Sequence, residues 1–484
     1  MNSIAPDLHL VDFSSTTPDA LQSQVISAID AANRFLDEMS ADSKLSAEQA
    51  LAEVMSFDHI NLALDRSWGI LSHLNSVMSS DEIRHVHHEL LPKLSAYGTR
   101  VGQHQPLFSR YQTIVNDQAF FAALEPARAR AIELALRSFE LSGVALPKAE
   151  QETFAAIQSE LSTLSATFSD HILDATQAYA LPLEQGQLAG LTESGLALLA
   201  DAGEQYKARE LASGTLTQGQ IDALPTPYYV ASLNIPVYLA VMTHADDRNL
   251  RETLYHAYVT RASEFDAHTN AKGEALNNAD IMGQILQLRA QKAKLLGFDN
   301  YAEVSLSTKM ADSVVEVETF LRDLAAQATP AAKQDLAQLQ KYAQDYGITD
   351  LQPWDSAYIA EKVKQSEFSL SQEEIRPYFP LPKVISGLFT IVERLYGIKV
   401  QEHSESVSRW HDDVRFYQLF DADDHLLGGF YFDLFARSGK RGGAWMSGFQ
   451  SRYTYTEQDH QQLPVCFMVG NFTPALDGKP SLLT

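Results

Sequence analysis

The 484-residue sequence predicts a mainly α fold with a small β-sheet near its C-terminal end. Two observations carry this. Through most of the chain apolar residues recur at helical spacing, most clearly Phe154, Ile157, Leu161, Leu164, Phe168 and Ile172, which form one stripe along a helix. From Trp410 onward the period changes to two. Val414, Phe416, Gln418 and Phe420 alternate with Arg415, Tyr417 and Leu419, and aromatic and β-branched residues dominate both sets. That pattern describes a strand in contact on both faces.

Taken in order, Thr17-Pro18 places a capping residue before a proline suited to the first helical position, so the first helix starts near Pro18 and buries Leu21, Val25, Ile29, Ala32 and Leu36. Periodic runs continue from Leu51 to Leu64, from Leu71 to Met78 and from Asp81 to Tyr97. Ile132, Leu136 and Phe139 lead to a helix stop at Gly143, before Pro147. The Phe154 to Ile172 stripe reads as core. Over 177–235 the helical signal weakens, and Ala178–Leu183 and Tyr228–Leu233 read as short strands that pair around another helix. Helix returns at Pro236 and runs to about Tyr396, interrupted at Gly297, at Gly347, at the Leu351-Gln352-Pro353-Trp354 turn and at the proline-rich Arg376–Pro382. Val414–Phe420 and Leu426–Phe435 then form a hairpin about the polar turn Asp421–His425. Gly428 and Gly429, followed by Gly439, Gly442 and Gly443, fit either a bulged sheet edge with a loop or a place where another backbone comes close.

Charge narrows the partners. Lys plus Arg is 37 against 62 Asp plus Glu, a net charge of -25, which repels phosphate backbones and anionic lipid and argues against nucleic acid and membrane surfaces. The opening MNSIAPDLHLVDF has neither a basic start nor a sustained apolar run, and no stretch approaches the roughly 18 apolar residues of a membrane span. Cys466 is the single cysteine, so neither an internal disulfide nor a thiolate metal cluster is available. These features predict a soluble cytoplasmic protein.

Chemistry is harder to find. His88-Glu89-Leu90-Leu91 begins like the zinc-binding H-E-x-x-H helix, but Pro92 stands where the second histidine is needed and cannot ligate a metal. His85 and His88, three residues apart on an exposed helix, therefore read as a solvated face, and His244, His256 and His268 share no helix face. No G-x-S-x-G, phosphate loop or dinucleotide fingerprint occurs. The residues by themselves assign no catalytic group and no metal ligand.

Several motifs in fixed order carry a resemblance. They are Ser72-His73-Leu74-Asn75-Ser76-Val77, Phe139–Gly143, Leu296–Ala302, Thr308–Ala311, Gln352-Pro353-Trp354-Asp355, Arg376–Pro380, Trp410-His411, Ala436-Arg437, Gly439–Met446, Asn471–Pro474 and Gly478-Lys479-Pro480. Together they resemble the thimet oligopeptidase family of zinc metallopeptidases, over nearly the whole chain. The resemblance implies a large, multi-helix, two-lobed oligopeptidase-type fold, with a zinc at the floor of a channel and hydrolysis of short peptides. Residues 1–235 would form an N-terminal helical region and 236–484 a catalytic domain, helical over 236–405 and β-rich over 406–484.

In that family the H-E-x-x-H helix follows the segment matching Gly478 to Thr484. The resemblance thus implies an N-terminal portion with the C-terminal part missing. Zinc would belong to the complete family member, with its ligands and general base absent from these residues, and the chain would be inactive alone, its partners being short peptides and the missing C-terminal half. What remains is substrate reception. The family lays an extended peptide along the strand matching Arg441, Gly442, Gly443, Ala444 and Trp445. The rival reading is a non-catalytic peptide-binding or interaction protein, or an inactive split-gene fragment. A further expectation is that Phe416, Phe430, Phe432 and Phe435 keep part of their surface open, so that the region from Trp410 exchanges amide protons faster than 154–172.

Overall fold

A computed structural model describes residues 8–40, 44–270, 273–455, 460–475 and 480–483; Gly478, Lys479 and Thr484 lie outside them. The chain begins with α1 (Pro18–Glu38), α2 (Ala47–Val77), α3 (Asp81–Gly102), α4 (Gln105–Asn116), α5 (Gln118–Ala123) and α6 (Pro126–Leu141). Thr17 caps α1 through its side chain, which accepts from the Ala20 amide at 3.2 Å. The two runs either side of residue 68 are one 31-residue helix, α2, opened by a capping box between Ser46 and Gln49. α7 (Lys148–Ala178) then crosses α3.

β1 (Ala180–Pro182) and β2 (Val230–Ser232) pair antiparallel around α8 (Glu193–Ala212) and α9 (Gln218–Asp222), as the sequence predicts. Helices α10 (Ile235–His244), α11 (Arg248–Thr260), α12 (Ala279–Leu295), α13 (Tyr301–Leu306), α14 (Val314–Asp345), α15 (Pro353–Phe368), α16 (Gln372–Ile375) and α17 (Leu381–Tyr396) lead to the sheet. α12 packs on α7. The strands are β3 (Lys399–Glu402), β4 (Arg415–Phe420), β5 (Leu426–Phe435), β6 (Trp445–Gln450), β7 (Tyr453–Tyr455), β8 (His460–Gln462) and β9 (Val465–Phe472). Five of them form one mixed sheet in the order β3-β4-β5-β9-β6, antiparallel except for the parallel pair β5–β9.

β4 and β5 are the expected hairpin, and both faces of the sheet are covered. On one face Phe416, Tyr431 and Phe467 join the core built by α1 to α6. On the other, Tyr417, Phe430 and Phe432 lie against Ile385 and Phe389 of α17. The expectation of open aromatic surface is therefore corrected: Phe416, Phe430 and Phe432 are buried, and Phe435 is half-buried. Each side chain so covered contributes about 1.5–3 kcal/mol of burial. The sequence shows an aromatic strand but not which helix, thirty residues upstream or 340 upstream, comes to lie on it.

Open apolar surface instead lies on α14, where Val315, Phe320, Leu321 and Leu324 are exposed and Ala343 is the buried residue. Amide exchange is accordingly expected to be slow across β4, β5 and β9 and fast along 314–330, because local opening is easiest where few contacts are lost. Fast exchange in the sheet with protection of α14 would contradict this packing.

Candidate peptide-binding site

Where β5 ends, the chain leaves the sheet, loops through 436–444 and returns as the edge strand β6. The C-terminal end of α2 holds this loop in place. The Arg441 amide donates to Ser76 O at 2.8 Å, the Ser79 amide donates to Gly439 O at 2.8 Å, and Arg437 Nη2 donates to Val77 O at 2.9 Å. From the β9 side, Asn471 Nδ2 donates to Arg441 O and Gly443 O at 3.0 and 2.6 Å. Gly443 has φ +97°, a conformation that side chains strongly disfavour. That conformation answers half of the glycine question: Gly443 is required by its own backbone.

The other half concerns space. β6 pairs with β9 on one side; Trp445 at its start is half-buried against the core, while Met446 is 67% exposed. A Cβ added at Gly442, Gly443 or Gly448 would meet no atom within 4 Å, whereas one at Gly429 would strike the Phe416 ring at 2.7 Å. Gly429 is thus a packing glycine. Gly442, Gly443 and Gly448 face open room at a strand edge.

At Gly442 and Gly443, though not at Gly448, that room is a cavity of about 660 Å³. Arg441, Gly442, Gly443 and Ala444 line it, while Trp445 begins β6 just outside the lining. Four of the five residues singled out from the sequence are brought together. The opposite wall was not foreseen: Phe168 and Ile172 of the α7 stripe, with Tyr258 and Arg261 at the end of α11. The stripe is core only at its start, where Phe154 and Ile157 are buried; Leu161, Leu164, Phe168 and Ile172 are half-buried. Spacing reports an apolar face but cannot distinguish a core from a cavity wall.

Under the loop lies a buried ion cluster. Asp433, 1% exposed, accepts from both terminal nitrogens of Arg437 at 2.6 Å, from Lys440 Nζ at 2.7 Å and from Trp410 Nε1 at 2.9 Å. Burial alone would raise the Asp433 carboxyl, but the Arg437 hydrogen bonds and the Lys440 and Arg437 charges together hold it below its ordinary value. Burial pushes the Lys440 ammonium down to about 8 against the pull of Asp433. A signal for this cluster was present: a lone carboxylate inside the apolar run of β5, followed by cations four and seven residues on.

Among the described residues no two histidines gather into one metal-ligating group. His85 is exposed as expected, but the solvated-face reading fails for His88. His88 Nε2 lies 2.6 Å from Asp170 on α7, and His87 stacks on Trp68 at 4.7 Å with its pKa pushed down to about 4 by burial. His73 is buried, stacks on Phe467 at 3.7 Å and is held neutral by burial, with a pKa of about 3. Among the described residues one group brings three metal-ligating side chains together, namely Asp421, Asp423 and His425. It sits in the β4–β5 turn, at the far end of β5 from the loop, and Asp421 already accepts from the amides of Asp423 and His425. An exposed turn of this kind does not fit a catalytic zinc.

Comparison with known proteins decides the family. The model of Peptidase family M3 matches residues 241–484, and that of the Neurolysin/Thimet oligopeptidase N-terminal domain matches 35–151. The chain belongs to the M3 peptidase family. It is 39% identical over 485 residues to Oligopeptidase A of Escherichia coli, covering 100% of this chain and 67% of that protein. It is also 39% identical to Oligopeptidase A of Haemophilus influenzae (93% of this chain, 64% of that protein) and 37% identical to the Organellar oligopeptidase A, chloroplastic/mitochondrial, of Arabidopsis thaliana (86% and 51%). The chain thus spans between about half and two thirds of these relatives' lengths. In M3 peptidase terms the Ser72–Val77 motif now has a physical role, since Ser76 and Val77 are the residues of α2 that grip the 436–444 loop. Among the described residues no helix is long and apolar enough to cross a membrane.

Proposed function

We propose that this M3 peptidase receives short peptides as extended strands along the free edge of β6, entering at Arg441, Gly442, Gly443, Ala444 and Trp445. The observation that carries the reading is an edge strand with open glycines beside a cavity of about 660 Å³. Main-chain hydrogen bonds from an added strand give affinity without demanding one sequence, provided nothing holds the two backbones more than ~4.8 Å apart. The setting is the turnover of peptides in the cytosol by a zinc-dependent metallopeptidase. Residues 1–235 are the helical region that holds the loop, and 236–484 carry the strand.

The 484 residues contain no H-E-x-x-H. We therefore expect the purified chain to bind no stoichiometric zinc and to cleave no peptide, and metal analysis finding about one tightly held zinc per chain, with chelator-sensitive peptidase activity, would refute this. A second reading, a peptide-binding protein without hydrolysis, is favoured by the cover that this chain's own helices give both faces of the sheet.

Gly442→Val tests the edge directly. Gly442 is not among the positive-φ glycines and has open space around it, so the change should shift stability by less than about 0.5 kcal/mol, while a branched side chain beside the edge weakens binding of a labelled extended peptide about tenfold. Unchanged binding would leave the glycine as loop structure alone. Gly443→Val is the poorer probe, because its positive φ adds strain of order 1–3 kcal/mol whatever the peptide does.

A further inference from the structure

The chain carries a net charge of -25, yet the cavity beside β6 is lined by Arg261, Arg437, Lys440 and Arg441 and by no Asp or Glu. Asp433 beneath it offers one carboxylate to two of these cations, Arg437 and Lys440, so the floor keeps one net positive charge. Arg261 and Arg441 have no carboxylate partner among the described residues. Each rests instead on an aromatic ring, Arg261 over Tyr258 at 3.8 Å and Arg441 over Trp445 at 5.8 Å. A guanidinium seated over a ring can still turn N–H groups toward a planar anion; Arg261 Nη1 already donates to Tyr258 O, which leaves its other terminal nitrogen for a ligand, and low-dielectric walls such as Phe168 and Ile172 strengthen the attraction. Clefts lined by one sign of charge concentrate ligands of the other, more so when the rest of the surface repels them.

We propose that this cavity takes a carboxylate of the bound peptide, from an acidic side chain or from the peptide's own C-terminus, with Arg261 and Arg441 as its ligands over the Asp433–Arg437–Lys440 floor. The proposal rests on the reading of β6 as the peptide-binding edge and adds the chemical class that the site prefers. The floor also sets a pH dependence. The charged groups acting on Lys440 are Asp433, Arg437 and Asp413, and neutral His73 lies in the adjoining core. As pH rises through about 8 the Lys440 ammonium loses its proton, the floor loses its net charge, and the preference should shrink.

The test uses the 484-residue chain and four fluorescein-labelled peptides of equal length, followed by anisotropy at low salt. One has an internal Glu and a free C-terminus, one Gln and a free C-terminus, one Glu and a C-terminal amide, and one is neutral at both places. A carboxylate is expected to improve affinity about tenfold over the neutral peptide, as a charge-assisted hydrogen bond does, and the two single-carboxylate peptides show which source the cavity uses. Arg261→Gln with Arg441→Gln should reduce the difference to about twofold, and Arg261→Lys with Arg441→Lys, which keeps the charge, should retain most of it. Circular dichroism checks that each variant is folded; if the Gln pair is not, the peptide series on the parent and the Lys pair decides. Equal affinity for all four peptides overturns the inference while leaving the edge-strand reading intact. A preference undiminished in the Gln pair overturns its placement in this cavity. Failure of every peptide to bind overturns both.

Discussion

Replacing Asp433 with alanine is expected to remove on the order of 3–5 kcal/mol of stability, because breaking a buried ion pair leaves charge behind with no water to solvate it. Here two cations are left, Lys440 with a fully buried side chain and Arg437 with 13% exposure. Their remaining partners are carbonyls: Asp433 O and Phe435 O for Lys440, Val77 O for Arg437. The lysine has an escape that the arginine lacks, since it can deprotonate. In the parent its folded pKa, about 8, already lies below the ordinary lysine value of 10.5, so its contribution is present above the unfolded pKa and lost as pH falls through 8. Without Asp433 the folded pKa drops further. The variant then sheds the proton at a lower pH than the parent does, and its deficit should narrow as pH rises toward 8. Below the ordinary carboxylate range the deficit narrows again, because the parent's own Asp433 protonates as pH falls through its depressed folded pKa. Urea denaturation at several pH values checks this. A pH-independent loss below about 1 kcal/mol would mean that the loop opens and hydrates the cations at little cost.

Asp355→Ala should be comparably severe for stability and different in its consequences. Asp355 is 0% exposed and accepts from Arg248 Nη2 and Arg251 Nη2, both at 2.8 Å, tying α11 to the first turn of α15. It also accepts from the Gln352 amide at 3.1 Å as the returning half of a capping box. Arg251, 1% exposed, would keep only backbone carbonyls, with Tyr358 stacked at 4.1 Å from its guanidinium carbon. The loss is expected at about 3–5 kcal/mol for the stranded charge with about 1 kcal/mol more for the cap. Asp355→Asn should recover part of the cap term and little of the charge term. No residue of this cluster lines the cavity, so peptide affinity measured well below the melting transition should be unchanged. Asp433→Ala, acting beneath the loop, should weaken it. Equal effects of both variants on affinity would mean that the cavity responds to global stability and not to its local floor.

Much of the fold was legible because its signals are local. Thr17-Pro18 caps α1, the Asp421–His425 turn closes the β4–β5 hairpin, and β1 pairs with β2 because each signal is complete within a few residues. The Gln352-Pro353-Trp354-Asp355 turn was visible as an interruption, but the use of its aspartate was not, since Arg251 lies more than a hundred residues upstream. The candidate site divides the same way. Arg441 to Ala444 came from their glycines and from the resemblance, whereas Arg261 and Phe168 look in sequence like an ordinary helix end and an ordinary stripe.

By itself the sequence determined the longer helices, the β1–β2 pair, the β4–β5 hairpin and the overall negative charge, since each follows from periodicity, turn residues or composition. Tertiary structure alone decided what each apolar face meets. It placed α17 and the α1–α6 core on opposite faces of the sheet, turned the far end of the α7 stripe, Phe168 and Ile172, into a cavity wall and gathered four cations there with no lining carboxylate. The physical reason is that burial and electrostatics depend on distances between residues far apart in the chain, and spacing along a sequence does not encode those distances.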